Sequence, residues 1–154
     1  MSILIGLQEA VTITPEASEG AVVFGIQYFI KEYLMKQFQE DFFNKPKDVA
    51  VAEFKRRVDT FLGPNNVGTR HIEELHDLGY LPIRIKALPE GTLCPIRVPA
   101  LTFINTHPDF FWLTNYFETL ISATLWLPMT SATTLRYILL DLYLLCLIHG
   151  ISGR

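Results

Sequence analysis

The sequence predicts an α+β fold in which helices flank a small, mostly antiparallel sheet. Of its 154 residues, 49% are hydrophobic and only 19% are charged, a composition that predicts a packed core and excludes a disordered chain. Apolar residues recur at helical spacing on both sides of a central stretch that alternates with a period of two. Because strands and helices are segregated along the chain, an α+β arrangement is favoured over a doubly wound sheet.

The N-terminal residues 1–21 are predicted to be weakly structured, because turn-forming residues dominate from Thr12 to Gly20. This stretch lacks the basic and apolar regions of a signal peptide, so we expect a cytoplasmic protein. An amphipathic helix is predicted from Val22 to about Phe38, with its apolar residues three and four positions apart.

Two shorter helices are predicted next. The first covers Lys47 to about Phe61, with Phe61 on its apolar stripe, and stops at Gly63. The second covers Thr69 to Leu78, with Thr69 as its N-cap and Gly79 as its stop. The intervening residues 63–68 contain two glycines but no following Lys-Ser/Thr pair, so they predict a connector rather than a phosphate loop.

Three short strands are predicted in the centre of the chain: Ile83–Ala87, Leu93–Val98 and Pro99–Asn105. A helix from Asp109 to about Leu125 follows, and Pro128 is expected to break it. A last apolar helix is predicted from about Ser131 to Leu147.

Charged residues are unevenly distributed. The residues after Pro99 carry five of the 29 charged side chains, and the rest lie before them. A segment this apolar is expected to be covered by its own chain, a partner or a membrane. The run Tyr137–Ile148 is shorter than the roughly 20 residues that span a bilayer and contains Asp141, so a buried core or interface helix is favoured over a tail anchor.

Candidate chemical groups are scattered, and the sequence assigns no catalytic, cofactor-binding or metal-binding residue. His71 and His76 are five residues apart and do not share a helix face, so exposed or capping histidines are expected rather than metal ligands. Glu73, Glu74 and Asp77 form a carboxylate patch that is typical of a solvated helix face.

Other candidates also have a structural interpretation. Glu90 lies in a Pro-Glu-Gly turn, where it is either a functional acid or a turn residue. An aromatic cluster is predicted to form core or a subunit interface rather than a stacking platform, and no spacing brings three candidate phosphate-binding arginines together. The aromatic cluster comprises Phe110, Phe111, Trp112, Tyr116 and Phe117, and the three arginines are Arg70, Arg84 and Arg97.

The two cysteines, Cys94 and Cys146, are too few and too far apart for a disulfide framework or a zinc site. We expect both to be buried, reduced thiols. The net charge of −3 gives no electrostatic footprint for nucleic acid, which is not expected as a partner.

Three strings of residues carry a specific resemblance. They are VFGIQYFIKEYL at 23–34, LPIRIKALPEG at 81–91, and a block from Asn105 through WLTNYFETL at 112–120 and Trp-Leu-Pro at 126–128 to Thr133. In this order, residues 22–133 resemble the N-terminal region of nicotinamide phosphoribosyltransferases.

The resemblance implies a type II phosphoribosyltransferase. Such enzymes join nicotinamide to phosphoribosyl pyrophosphate with magnesium, coupled to ATP, and form the mononucleotide used for NAD. The implied fold is an α/β barrel beside an α+β sandwich domain in a homodimer, with residues 83–105 in the sandwich domain. The segments around Trp112 and after Pro128 would lie between that domain and the barrel.

Two departures from the family bear on activity. Residues 1–21 lack the family's usual Asp-Ser-Tyr-Lys-type opening, and residues 134–154 form an apolar helical tail without a family counterpart. The family's barrel residues would follow this segment, so no catalytic residue is carried over. We expect a truncated or frame-shifted copy, or an artificially bounded gene model, that is inactive alone, with substrates bound only by the complete enzyme. The alternatives are an interaction module that docks on a full-length homologue and, less favoured, a small membrane-anchored protein.

Overall fold

The computed structural model describes residues 2–5 and 20–148, with the backbone alone for residues 2–5. It has an α+β architecture, as predicted. The strands are β1 (Ser2–Ile5), β2 (Gly20–Val22), β3 (Ile83–Ala87), β4 (Leu93–Pro95) and β5 (Leu101–Asn105). The α-helices are α1 (Ile26–Tyr28), α2 (Lys47–Leu62), α3 (Arg70–Leu78) and α4 (Leu113–Ile148), with a 3-10 turn at Pro108–Phe110.

The described strands form two antiparallel sheets rather than one. The larger has the order β1-β5-β3, and the smaller pairs β2 with β4. Strand β5 is central, with Ile85 of β3 opposite Phe103. Strands β1 and β2 were not predicted, because each is short and pairs with a strand far away in the sequence. Residues 1 and 6–19 of the segment predicted to be weakly structured lie outside the described residues.

The core lies between the sheets, the first helix and α4. Its side chains with 2% exposure or less come from elements throughout the domain: Val23, Phe29, Leu75, Ala100, Phe103, Leu113, Ile121, Leu125 and Met129. Burying an aliphatic or aromatic side chain of this size stabilises a fold by about 1.5–3 kcal/mol. The core therefore takes residues from throughout the segment 22–133 that resembles the family, and it joins the helices of this segment to both sheets.

The first helix begins later and ends later than the sequence predicted. Helix α1 continues directly into π-helical segments at Phe29–Gln37 and Gln39–Phe43. The predicted start at Val22 is wrong because this residue belongs to β2, and Gly25 then turns the chain with a left-handed φ of 90°. Glycine adopts this conformation at little cost, so it separates the strand from the helix.

The predicted positions of α2 and α3 are confirmed, and Gly79 ends α3 with a φ of 77°. The connector between them is organised by Asn65, whose side chain donates to the Gly63 carbonyl and accepts from the Val67 N–H. The predicted apolar stripe of α2 is wrong at Phe61, which is 88% exposed because none of the described elements covers that end of the helix.

Helix α4 is a single helix of 36 residues, and the break predicted at Pro128 does not occur. Proline removes one backbone hydrogen bond from a helix, but residues on both sides of Pro128 are anchored to the domain. Every fourth residue from Leu113 to Thr133 is buried: Leu113, Phe117, Ile121, Leu125, Met129 and Thr133. The Thr133 hydroxyl also accepts the N–H of Val22 at 2.8 Å, which ties α4 to β2 beyond the proline.

The rest of α4 forms an apolar arm, which we define as residues 134–148. No side chain of the arm is buried, and its leucines and isoleucines are 44–76% exposed. The expected cover for this segment was its own chain, a partner or a membrane, and the described residues of the chain do not cover residues 134–148. Residues 149–154 of the predicted apolar tail lie outside the described residues.

Candidate functional site

Glu90 holds the start of the first helix. One carboxylate oxygen accepts the N–H of Gly25 at 2.9 Å, and the other accepts the N–H of Gln27 at 2.8 Å. A carboxylate at a helix N-terminus satisfies free N–H groups and interacts favourably with the helix dipole. The candidate acid of the Pro-Glu-Gly turn is thus a helix cap supplied from 65 residues away.

Two clefts flank the half-exposed ring of Phe24, and Pro128 lines both. The first, of about 550 Å³, contains Glu90 and the rings of Tyr28 and Tyr33. The second, of about 590 Å³, runs along the base of the apolar arm and is lined by Val22, Ala132, Leu135 and Leu139, among others. Their linings suit apolar or aromatic groups better than acid–base chemistry, because the Glu90 carboxylate is already engaged.

The sequence predicted exposed or capping histidines, and full exposure is wrong for both, because they are half-buried in separate aromatic surroundings. The His71 ring packs edge-on against Trp112, with centroids 4.9 Å apart. His76 lies against Phe42, and in the tautomer with a hydrogen on Nε2 it donates a 3.0 Å hydrogen bond to the Lys45 carbonyl oxygen. The two rings contact different aromatic residues.

The carboxylates near α2 and α3 are held by different local partners. Glu73 accepts the Thr69 hydroxyl hydrogen bond, while Glu74 and Asp77 form ion pairs with Arg70 and Lys47. On α2, hydrogen bonds from Arg57 and Lys45 lower the pKa of Glu53, and hydrogen bonds from Lys55 and Asn65 lower the pKa of Asp59. The hydrogen bonds stabilise the ionised carboxylates, and both carboxylates belong to exposed networks of charged and polar side chains.

The described residues do not fit a magnesium site. Within residues 20–148, His, Cys, Asp and Glu side chains form no group of three that could hold a metal ion. Magnesium binds through carboxylates together with substrate phosphates, so a site would need acidic side chains that converge. No catalytic step through magnesium follows from this part of the chain.

The three candidate arginines have different environments. Arg70 pairs with Glu74, and that hydrogen bond raises its pKa. Arg84 is exposed on β3, and Arg97 is exposed with a left-handed φ of 70°, which is uncommon for a residue with a side chain. We assign no phosphate site to them.

The aromatic cluster divides between core and surface. Phe110 and Phe117 are buried, which confirms the prediction of core packing for these two. Phe111 and Tyr116 are more than half exposed, and Trp112 is half-buried against His71 and Tyr116. Phe24 and Pro128, which line the clefts, were not identified from the sequence as site residues.

The two cysteines also differ. Cys94 is buried in the core, as predicted, and desolvation raises the pKa of its thiol. Cys146 is exposed on the apolar arm, so its predicted burial is wrong for the described chain. A raised pKa makes Cys94 a poor nucleophile and a structural residue.

The apolar arm gives the described chain its most unusual surface. Helix α4 is the one helix in residues 20–148 that is long and apolar enough to cross a membrane by length and composition. Exposed leucines and isoleucines lie on all sides of the arm. Large exposed apolar patches on soluble proteins usually mark sites of contact with another molecule.

Comparison with known proteins finds sequence similarity to one kind of enzyme. No protein-family model matches the sequence. A nicotinamide phosphoribosyltransferase of Acinetobacter baylyi is 56% identical over 112 residues, which are 73% of this chain and 22% of the relative. A nicotinamide phosphoribosyltransferase of Xanthomonas campestris is 34% identical over 110 residues, 71% of this chain and again 22% of the relative. Over about three-quarters of its length the chain is therefore a homologue of nicotinamide phosphoribosyltransferases, and it spans about a fifth of theirs.

Proposed function

We propose that this chain is a partial nicotinamide phosphoribosyltransferase that supplies an α+β region of the enzyme and has no transferase activity alone. The observation that carries the proposal is the 56% identity over 112 residues that make up only 22% of the relative. The reaction would join nicotinamide to phosphoribosyl pyrophosphate, a pentosyl transfer in NAD biosynthesis. A cytoplasmic location is part of the same proposal.

The absence of independent activity is supported by the chemistry of residues 20–148. Transfer from a pyrophosphate needs preorganised positive charge and a metal ion where negative charge develops. In the described residues, carboxylates near α2 and α3 are paired locally, and no metal-binding group of three exists. The two clefts around Phe24 are predominantly apolar and offer no such environment.

The proposal is tested by incubating the purified chain with nicotinamide, phosphoribosyl pyrophosphate, magnesium and ATP, and measuring nicotinamide mononucleotide by mass spectrometry. A full-length relative is the positive control, and a mock preparation from the same host without the chain sets the background. Circular dichroism confirms that the tested chain is helical. We expect no product above the mock preparation. Product that increases with the amount of chain would show that it is active by itself.

A further inference from the structure

Strand β3 is an open edge of the larger sheet in the described part of the chain, because the order β1-β5-β3 gives it one neighbour. On the side of that neighbour, the Thr106 N–H donates to the Pro82 carbonyl at 2.8 Å. The Leu88 N–H donates to the Ala100 carbonyl at 3.0 Å. Hydrogen-bonded pairs alternate along an antiparallel ladder, so the even-numbered residues from 82 to 88 direct their backbone groups at β5. The odd-numbered residues direct theirs away from the sheet.

The outward backbone groups of β3 form a row that is largely unpaired. The Ile83 N–H donates to the Leu81 carbonyl at 2.8 Å. Within the described residues, the N–H groups of Ile85 and Ala87 and the carbonyls of all three odd-numbered residues have no partner. Groups two residues apart in a strand are separated by about 6.6–6.8 Å. A second extended polypeptide presents donors and acceptors at this spacing, whereas a helix or a lipid does not.

The two faces of β3 differ in chemistry. Ile83 and Ile85 lie on the inner face and line a groove of about 440 Å³ beside the first helix. Arg84 and Lys86 alternate with them and lie on the outer face, where both are exposed and neither forms an ion pair with a described residue. A strand added to this edge would therefore meet apolar side chains on one face and two positive charges on the other. The groove is also lined by Leu34, Met35, Phe43 and Tyr80.

We propose that the edge of β3 is a strand-addition site for an extended segment of a partner polypeptide, with apolar residues on its inner face and acidic residues on its outer face. Strand pairing satisfies the outward backbone groups of Ile85 and Ala87. Cross-strand pairs with Arg84 and Lys86 select the acidic residues. The inference is independent of the transferase proposal, because it rests on the hydrogen-bond pattern and the charges of β3.

The same charges disfavour a second copy of this chain as the occupant. When two β3 strands pair antiparallel along their full length, Arg84 of one copy lies opposite Lys86 of the other. Like charges directly opposite each other destabilise a sheet.

The strand also lacks features that keep other strands away. Open edges are commonly guarded by a proline, a bulge or a charge on the inner face. Strand β3 contains no proline, its register with β5 is continuous, and its inner face carries isoleucines. Because its two charges lie on the outer face, they select a strand of opposite charge and do not block every strand.

Fluorescence anisotropy with two labelled heptapeptides tests the proposal on the full chain. One peptide alternates glutamate with valine and the other alternates lysine with valine, so they differ in charge alone. We expect the acidic peptide to bind at least about tenfold more tightly. In the double variant Arg84→Glu with Lys86→Glu, this preference is expected to reverse. No saturable binding of the acidic peptide by the wild type, or equal affinity for both peptides, would overturn the proposal.

A second pair of variants tests the backbone contact. Ala87→Pro removes an N–H that faces the open edge and leaves the bonds to β5 in place. Ala87→Ser changes the same exposed side chain and keeps the N–H. We expect Ala87→Pro to weaken binding of the acidic peptide at least about threefold and Ala87→Ser to leave it unchanged. Equal affinity of the two variants would contradict strand addition.

Two controls complete the experiment. Circular dichroism compares the folds of the variants, and if Ala87→Pro does not fold, the charge reversal decides between the outcomes. Sedimentation velocity identifies the occupant in the absence of peptide. A wild-type dimer that the charge-reversed variant or Ala87→Pro dissociates would show that a second copy occupies the edge, and would overturn the proposal.

Discussion

Glu90 accepts a 2.9 Å hydrogen bond from the backbone N–H of Gly25, across 65 residues of sequence. The bond joins the turn after β3 to the point where β2 gives way to the first helix. The Gly91 N–H donates to the Val23 carbonyl at 2.7 Å beside it, so the two segments are held by backbone as well as side-chain contacts. This contact gives the acidic residue in the turn a structural role.

Glu90→Ala is expected to destabilise the fold by about 1.5–3 kcal/mol, because it removes a charged acceptor from two N–H groups at a helix N-terminus. Urea unfolding followed by circular dichroism measures the change. Glu74→Ala is the control, since its carboxylate pairs with an Arg70 side chain that is 90% exposed. Such surface pairs contribute about 0–1 kcal/mol. Equal losses in the two variants would show that Glu90 is an ordinary surface carboxylate.

Thr133→Val is expected to cost about 1–3 kcal/mol, because it leaves the N–H of Val22 buried without its acceptor. The same hydroxyl donates to the Met129 carbonyl at 2.6 Å. Thr130→Val is the matched control, since the Thr130 hydroxyl is buried with no hydrogen-bond partner in the described structure. Its removal should be neutral or stabilising in thermal unfolding. A larger loss for Thr130→Val than for Thr133→Val would contradict the proposed link between α4 and β2.

Gly25→Ala is expected to lower stability more than Gly79→Ala. Both glycines have a left-handed φ, which costs a residue with a side chain about 1–2 kcal/mol. A Cβ at position 25 would also lie 3.1 Å from two Pro128 side-chain atoms, whereas one at position 79 would meet nothing within 4 Å. Chemical unfolding of the two variants compares them directly, and similar losses would show that Pro128 moves aside at no cost.

The Cys94 thiol should make stability depend on pH in the alkaline range. Because burial raises its pKa above the ordinary 9.0, the unfolded chain loses this proton at a lower pH than the folded chain does. The thiol's contribution is therefore complete below about pH 9 and is lost as the pH rises through the folded-state pKa. The difference in unfolding free energy between wild type and Cys94→Ala should shrink from about pH 8 to about pH 10. A constant difference would mean that Cys94 titrates normally.

Local signals in the sequence predicted the elements that local interactions determine. Gly63 and Gly79 marked the ends of α2 and α3, and the alternation at Ile83–Ala87 identified β3 with its observed bounds. Non-local contacts decided the rest. Pro128 reads as a helix breaker, yet anchoring on both sides of it keeps α4 continuous. The short β2 is stabilised by pairing with β4, which no local pattern reveals.

The candidate site was less predictable than the fold. The sequence singled out Glu90, but its role as a cap depends on a partner 65 residues away. Phe24 and Pro128 carry no chemical motif, and they line clefts because the chain around β2 and the start of the first helix lies beside α4. The sequence predicted that the C-terminal segment needs a cover, and the described part of the chain leaves residues 134–148 uncovered.

The yield of nicotinamide mononucleotide per mole of folded chain tests the account most directly. The chain is supplied with nicotinamide, phosphoribosyl pyrophosphate, magnesium and ATP, and the product is compared with that of a mock preparation. We expect no difference, because the chain spans about 22% of its relatives and the described residues 20–148 form no group of three that could hold a metal ion. Repeated turnover that increases with the concentration of the chain would contradict it.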